Sequence, residues 1–156
     1  MAGTAIEAIL SSLNRVSRLG FLALWNADVA SVIREVRRRN LTYLETDALM
    51  DLAQVMLDTE RRGGNGMIVE AGCALGGSAI VLASAKSKQR PLFIYDVFGT
   101  IPPPSDKDGE DAHDRYGVIA SGQSSGIGRQ RYCGYESNLY ERVKRTFEEF
   151  ALPPDG

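Results

Sequence analysis

The feature that most constrains the fold is the stretch of residues 67–96, where two short apolar runs flank a glycine-rich turn and a helix-forming segment. Residues 67–71 are apolar and end at Gly72, as buried parallel strands do. Residues 76–85 are small and apolar, and residues 91–96 form a second apolar run. This order predicts a βαβ unit, and therefore an α/β fold with a parallel sheet.

Amphipathic helices are predicted on both sides of this unit. Apolar residues recur at helical spacing over residues 6–13, 29–36, 49–57 and 139–150. We therefore divide the chain into an N-terminal helical segment, residues 1–40, and an α/β domain, residues 41–156. Residues 99–135 lose this periodicity and are rich in Pro, Gly, Ser and Asp, so we interpret them as a lid loop.

The number of predicted strands is small for such a fold. Doubly wound sheets usually have about five strands or more, whereas only two are predicted here. We expect the fold to be incomplete at its C-terminus, so that the chain is either part of a longer polypeptide or a homo-oligomer. A sheet edge and part of the apolar stripe of the last helix should then be exposed.

Composition narrows the function classes. The net charge of −2 gives no basic field that would attract nucleic acid or anionic lipid. The sequence has no apolar run of about 18 residues, and residues 1–14 do not predict a secretory leader. Cys73 and Cys133 lack the spacing of a zinc site. We expect a cytoplasmic protein with no nucleic-acid or membrane partner.

Acidic residues end both predicted strands. Glu70 closes the first and Asp96 the second, at the edge where open α/β sheets bind ligands. Asp96 is placed to accept hydrogen bonds from ribose hydroxyls, as acids do there in nucleotide-binding folds. The second glycine of the dinucleotide fingerprint is replaced by Ala74, whose methyl group obstructs a pyrophosphate. The pattern therefore disfavours NAD and FAD.

A ligand that has an ammonium and a carboxylate but no phosphate fits this turn better. Glu70 would attract the ammonium, directly or through water. Gly76 and Gly77 would let the helix N-terminus come near the carboxylate.

The same residues resemble the macrocin O-methyltransferase family of class I, S-adenosylmethionine-dependent enzymes. Its motif (D/E)-x-G-x-x-x-G-G-(S/A) is similar to residues 70–78, and D-(S/T)-F-E-G-(L/M)-P-x-P to residues 96–104, with departures that include Val97 and Gly99. The similarity spans about residues 41–150. It implies a Rossmann-like methyltransferase fold and methyl transfer to a sugar hydroxyl of a glycosylated metabolite or glycan.

The resemblance also implies contacts with S-adenosylmethionine, residue by residue. It assigns the methionyl part to Glu70, Gly72 and Ser78, the ribose to Asp96, the adenosine region to Phe98, and a further contact to Thr42 and Tyr43. The family holds Mg²⁺ with acids after its fourth strand, which would lie beyond Gly156. The 156-residue chain alone is therefore expected to bind cofactor without turnover.

Other readings stay open beside this one. His113, the only histidine, lies in the lid segment and is a candidate general base, although a lone loop histidine is more often simply exposed. The alternatives to a methyltransferase are a nucleotide- or NAD-binding Rossmann domain and a cofactor-binding module without catalysis.

Overall fold

The computed structural model describes residues 18–153, which form a mixed α/β structure. The elements are α1 (Ala27–Arg38), α2 (Thr46–Arg61), β1 (Ile68–Ala71), α3 (Gly77–Ala85), β2 (Leu92–Tyr95), α4 (Glu110–Ala120) and α5 (Leu139–Glu149). Residues 18–25 are also helical. Within this described part, every helix is too short or too polar to cross a membrane. The helix predicted over residues 6–13 lies outside the described residues.

The two strands form a parallel pair. Ile68 lies opposite Leu92, and Ala71 lies opposite Tyr95. The ladder extends one step further, because the Gly72 amide donates to the Tyr95 carbonyl oxygen at 2.7 Å. The strand, helix, strand order predicted from the sequence is confirmed, and the residues that follow β1 and β2 lie side by side at one sheet edge.

Helix α3 is the centre of the packed layer. It contacts both α1 and α2, and its Ile80 and Val81 are fully buried. Ile33 of α1 and Leu49 of α2 are fully buried as well. A helix covered on several sides needs no polar face, which explains why residues 76–85 are apolar throughout.

The two faces of the sheet differ. Ile68 and Ile94 pack against the helical core. The alternate side chains of Val69, Phe93 and Tyr95 are 58%, 44% and 62% exposed. Successive side chains of a strand point to opposite faces, so the helices cover one face and the described residues leave the other bare.

The predicted apolar stripe of the last helix is mostly covered, and of its four residues only Phe150 is partly exposed. Leu139, Val143 and Phe147 of α5 are buried. Helix α5 packs closely against Gly76, where a β-carbon would lie 3.2 Å from a Val143 methyl and 3.3 Å from the Phe147 ring. Because Gly76 has no side chain, the apolar stripe of α5 can pack against the backbone there and is buried.

The segment of residues 99–135 is more ordered than the sequence predicts. It contains α4 and two short 3-10 turns, Ile127–Arg129 and Cys133–Tyr135. Only Ile119 of α4 is buried, so this helix has no apolar periodicity to reveal it. The Tyr135 hydroxyl donates to the Ile119 carbonyl oxygen at 2.6 Å and ties the segment together. Its interpretation as a lid stays a prediction.

Candidate functional site

The turn between β1 and α3 alternates left-handed residues. The φ angle is 86° at Gly72, 50° at Ala74 and 84° at Gly76. This conformation costs a residue with a β-carbon about 1–2 kcal/mol. Ala74 keeps it while its amide donates to Asp96 Oδ2 at 3.0 Å. The turn is therefore held in place from the neighbouring strand.

Asp96 holds the backbone of two segments in place, the turn after β1 and the residues that follow β2. Its Oδ2 accepts hydrogen bonds from the amides of Cys73 at 2.8 Å and Ala74 at 3.0 Å, and its Oδ1 accepts from the Phe98 amide at 2.9 Å. An ionised carboxylate offers about four acceptor positions. Asp96 therefore has a structural role, with acceptor capacity left for one further donor.

Glu70 is held from one side only. Its Oε1 accepts a hydrogen bond from the Ser78 hydroxyl at the start of α3. Its Oε2 is buried and has no hydrogen-bond partner among the residues that the structure describes. Burial raises the pKa of the Glu70 carboxyl, the Ser78 hydrogen bond opposes this shift, and the negative charge of Asp96 adds to it. A donor with a positive charge would satisfy this oxygen.

A cavity of about 530 Å³ opens at this sheet edge, and we call it the carboxylate cavity. Its walls include Tyr43, Gly72, Asp96, Tyr132, Cys133 and Leu139. A β-carbon at Gly72 would meet nothing within 4 Å, so the backbone is open to the cavity there. Glu70 and Ser78 are not among its walls, although they adjoin Gly72 and the start of α3 in the chain.

The glycines at the start of α3 have a different role from the predicted one. A β-carbon at Gly77 would lie 2.6 Å from the Leu41 carbonyl oxygen, and the Gly77 amide donates to that oxygen at 3.0 Å. Gly76 is in contact with α5, as described above. The prediction that both glycines open the helix N-terminus to a ligand is wrong, because other parts of the chain fill that space.

Thr42 and Tyr43 lie in the segment before α2, and the structure places the two side chains differently. Thr42 is buried, and a β-carbon added at Gly77 would lie 2.9 Å from the Thr42 side chain. The Thr42 hydroxyl accepts a hydrogen bond from the Leu44 amide at 3.2 Å. Tyr43 is 55% exposed and forms a wall of the carboxylate cavity. Of this pair, Tyr43 is the residue that a ligand in the cavity can reach.

Phe98 and His113 are not among the walls of the carboxylate cavity. The Phe98 ring packs edge-on against Tyr140, with 5.1 Å between ring centroids, and borders a second cavity. His113 is exposed on α4, with Nε2 3.2 Å from the Ser105 carbonyl oxygen, and lines neither cavity. Its assignment as a general base stays a prediction.

The second cavity, of about 830 Å³, was not anticipated from the sequence, and we call it the arginine cavity. It shares Gly99 and Gly134 with the carboxylate cavity. Its other walls include Gln123, Ser125, Arg129, Gln130 and Arg131. The alternation of Arg129 and Arg131 around Gln130 was the one signal in the sequence for it.

The thiols of the site are poorly suited to nucleophilic chemistry. Burial, followed by the nearby charges of Asp96 and Glu70, raises the pKa of Cys73 to about 12. Burial also raises the pKa of Cys133. A thiol with so high a pKa has almost no reactive thiolate at neutral pH. Within residues 18–153, no group of three or more His, Cys, Asp or Glu side chains is arranged to hold a metal ion.

Comparisons of this chain with protein-family models, with curated proteins and with solved structures give no match. The functional argument therefore depends on the residues and the geometry described above.

Proposed function

We propose that this chain is the cofactor-binding part of a class I, Rossmann-like O-methyltransferase and binds S-adenosylmethionine at the carboxyl ends of β1 and β2. The observation that carries the proposal is Glu70 Oε2, a buried carboxylate oxygen without a partner in the described part of the chain. Such an oxygen costs free energy until a donor reaches it. In this proposal the Glu70 side chain turns towards the carboxylate cavity, where the ammonium of the cofactor is a donor of the right charge.

The remaining parts of the site suit the rest of the cofactor. When bound, the cofactor supplies a methyl group on a positively charged sulfur. Ser78 keeps Glu70 oriented, and Gly72 leaves the backbone open at the cavity. Asp96 has acceptor capacity for a ribose hydroxyl, and Tyr43 and Tyr132 offer aromatic surface to an adenine ring.

The same geometry argues against a dinucleotide at this turn. Phosphates bind where free backbone amides point at them. Here the amides of Cys73 and Ala74 already donate to Asp96. The negative charges of Glu70 and Asp96 would also repel a phosphate. NAD and ATP should therefore bind less tightly than a phosphate-free cofactor.

The acceptor is proposed on the resemblance alone. It is a sugar hydroxyl of a glycosylated metabolite or glycan, which would attack the methyl group after losing its proton to a base. The acids that hold Mg²⁺ in the family have no counterpart among the described residues, and we assign no metal-dependent step to this part of the chain.

Isothermal titration of the 156-residue chain with S-adenosylhomocysteine, NAD and ATP tests the proposal. We expect S-adenosylhomocysteine to bind and the two phosphate-bearing ligands to bind at least about tenfold more weakly. Tighter binding of NAD or ATP would overturn the cofactor assignment. A turnover assay with a methyl-labelled donor then separates an enzyme from a binding module.

A further inference from the structure

The arginine cavity has a positive charge that the protein does not neutralise. Among the residues that the structure describes, no salt bridge involves Arg129 or Arg131. The Arg131 side chain donates only to the Tyr135 carbonyl oxygen at 3.3 Å. Glu136, the one carboxylate in the cavity wall, pairs with Arg142. The Arg131 guanidinium also lies over the Tyr135 ring, 5.9 Å from its centroid. Both guanidinium groups are therefore without an anionic partner in the described part of the chain.

The loop that carries these arginines is closed by its own backbone. Ser125 and Arg131 form an antiparallel bridge, and the Gly126 amide donates to the Gln130 carbonyl oxygen at 2.7 Å. A β-carbon at Gly126 would lie 2.6 Å from the Arg131 carbonyl oxygen. The loop thus brings Arg129 and Arg131 into the wall of one cavity.

Apart from the paired Glu136 and the ring of Phe98, the rest of the wall is polar and uncharged. Gln123 and Gln130 offer amide groups, and Ser125 and Thr100 offer hydroxyls. Such groups can donate to and accept from hydroxyl groups on a ligand. Guanidinium forks match the geometry of phosphate and carboxylate groups. The arginines of the wall can therefore bind an anionic group of a ligand, and its amides and hydroxyls can bind the hydroxyl groups of the same ligand.

We propose that the arginine cavity binds the methyl acceptor and that this acceptor is a sugar with an anionic group, a phosphate or a carboxylate, held by Arg129 and Arg131. The cavity adjoins the carboxylate cavity at Gly99 and Gly134, so a ligand there lies beside the cofactor site. The role of this ligand as methyl acceptor rests on the proposed function, whereas the binding of an anionic sugar in this cavity does not depend on it.

Titration of the chain with glucose 6-phosphate, glucuronate and glucose tests the inference, with and without S-adenosylhomocysteine. We expect one or both anionic sugars to bind at least about tenfold more tightly than glucose. Which of them binds separates phosphate from carboxylate. Binding of glucose as tightly as the anionic sugars, or no binding of either anionic sugar, would overturn the proposal.

Variants locate the binding. Arg129→Gln and Arg131→Gln should each weaken the anionic sugar about tenfold, because a charged hydrogen bond is lost. Arg145→Gln makes the same charge change on an exposed residue of α5 outside the cavity walls and should leave binding unchanged. Equal binding by all three variants and the wild type would contradict the assignment.

The two proposals fail separately. If S-adenosylhomocysteine does not bind to the wild type while an anionic sugar binds through the arginines, the methyltransferase assignment is wrong and the anion site stands. If S-adenosylhomocysteine binds normally and Arg131→Gln has no effect on sugar binding, only the inference about the arginine cavity is wrong.

Discussion

The carboxylate cavity and the arginine cavity meet at Gly99 and Gly134, yet the chain builds them in different ways. The first forms at two strand ends and one short turn, and its acidic wall residue, Asp96, also holds the backbone. The second forms from the loop and short turns of residues 122–137, and its arginines have no ion pair in the described part of the chain. In one cavity the charged groups are part of the fold. In the other they remain available for a ligand.

Removal of the Asp96 carboxylate should show the largest difference between the two cavities. Asp96→Ala leaves the amides of Cys73, Ala74 and Phe98 without their acceptor. Each such loss costs about 1–3 kcal/mol, so we expect the free energy of unfolding to fall by roughly 3 kcal/mol or more. Urea denaturation followed by circular dichroism measures this.

Arg131→Ala is the matched change in the arginine cavity. Its side chain is exposed and makes one weak hydrogen bond, so the free energy of unfolding should change by less than about 0.5 kcal/mol. Similar losses in both variants would break the distinction between structural and available charges.

Glu70 should destabilise the fold in its charged form. A carboxyl with a raised pKa contributes stability that is present below its unfolded pKa and is lost as the pH rises through its folded pKa. Glu70→Gln cannot ionise, so it avoids this loss of stability and should be more stable than the wild type at neutral pH. Melting temperatures of both proteins between acidic and neutral pH check the sign. A variant that is less stable at neutral pH would contradict it.

Salt should weaken the binding of the anionic sugar more than the binding of S-adenosylhomocysteine, and this is the smallest of the expected effects. The anionic sugar binds to exposed arginines, whose attraction is screened by ions over about 8–10 Å at physiological salt. We expect its affinity to fall about threefold or more between low and high salt. Binding of S-adenosylhomocysteine near the partly buried Glu70 should change less. Titrations over a sodium chloride series give both slopes, and equal slopes would show that the two cavities do not differ in this way.

The sequence predicts the strand ends that border the carboxylate cavity because the determinants of those strand ends are local. Two apolar runs that each end in an acid, with glycines between them, are enough to predict β1, α3 and β2 and to place Glu70 and Asp96 at one sheet edge. What the sequence could not indicate is that Asp96 is bound to the turn. That depends on the backbone conformation of Cys73 and Ala74, and no side-chain pattern encodes it.

Long-range packing explains the errors. Gly76 and Gly77 look like ligand-binding glycines, but the parts of the chain that fill their space are α5 and the residues before α2. Helix α4 has one buried residue, so periodicity could not reveal it. Its acidic first turn, Glu110 and Asp111, was the available signal, since negative charge favours a helix N-terminus. The arginine cavity combines a locally closed loop with residues 98–100, which come from a distant part of the chain.

The most direct test of the central claim compares two ligands that differ in the methionyl part. S-adenosylhomocysteine has the ammonium that Glu70 is proposed to bind, and 5′-methylthioadenosine lacks it. Isothermal titration of Glu70→Gln should show about tenfold or greater weakening for S-adenosylhomocysteine and less than about twofold change for 5′-methylthioadenosine. Glu148→Gln, the same change at an exposed position of α5, should alter neither. Equal effects of Glu70→Gln on both ligands, or none on S-adenosylhomocysteine, would contradict the proposal that Glu70 holds the ammonium of the cofactor.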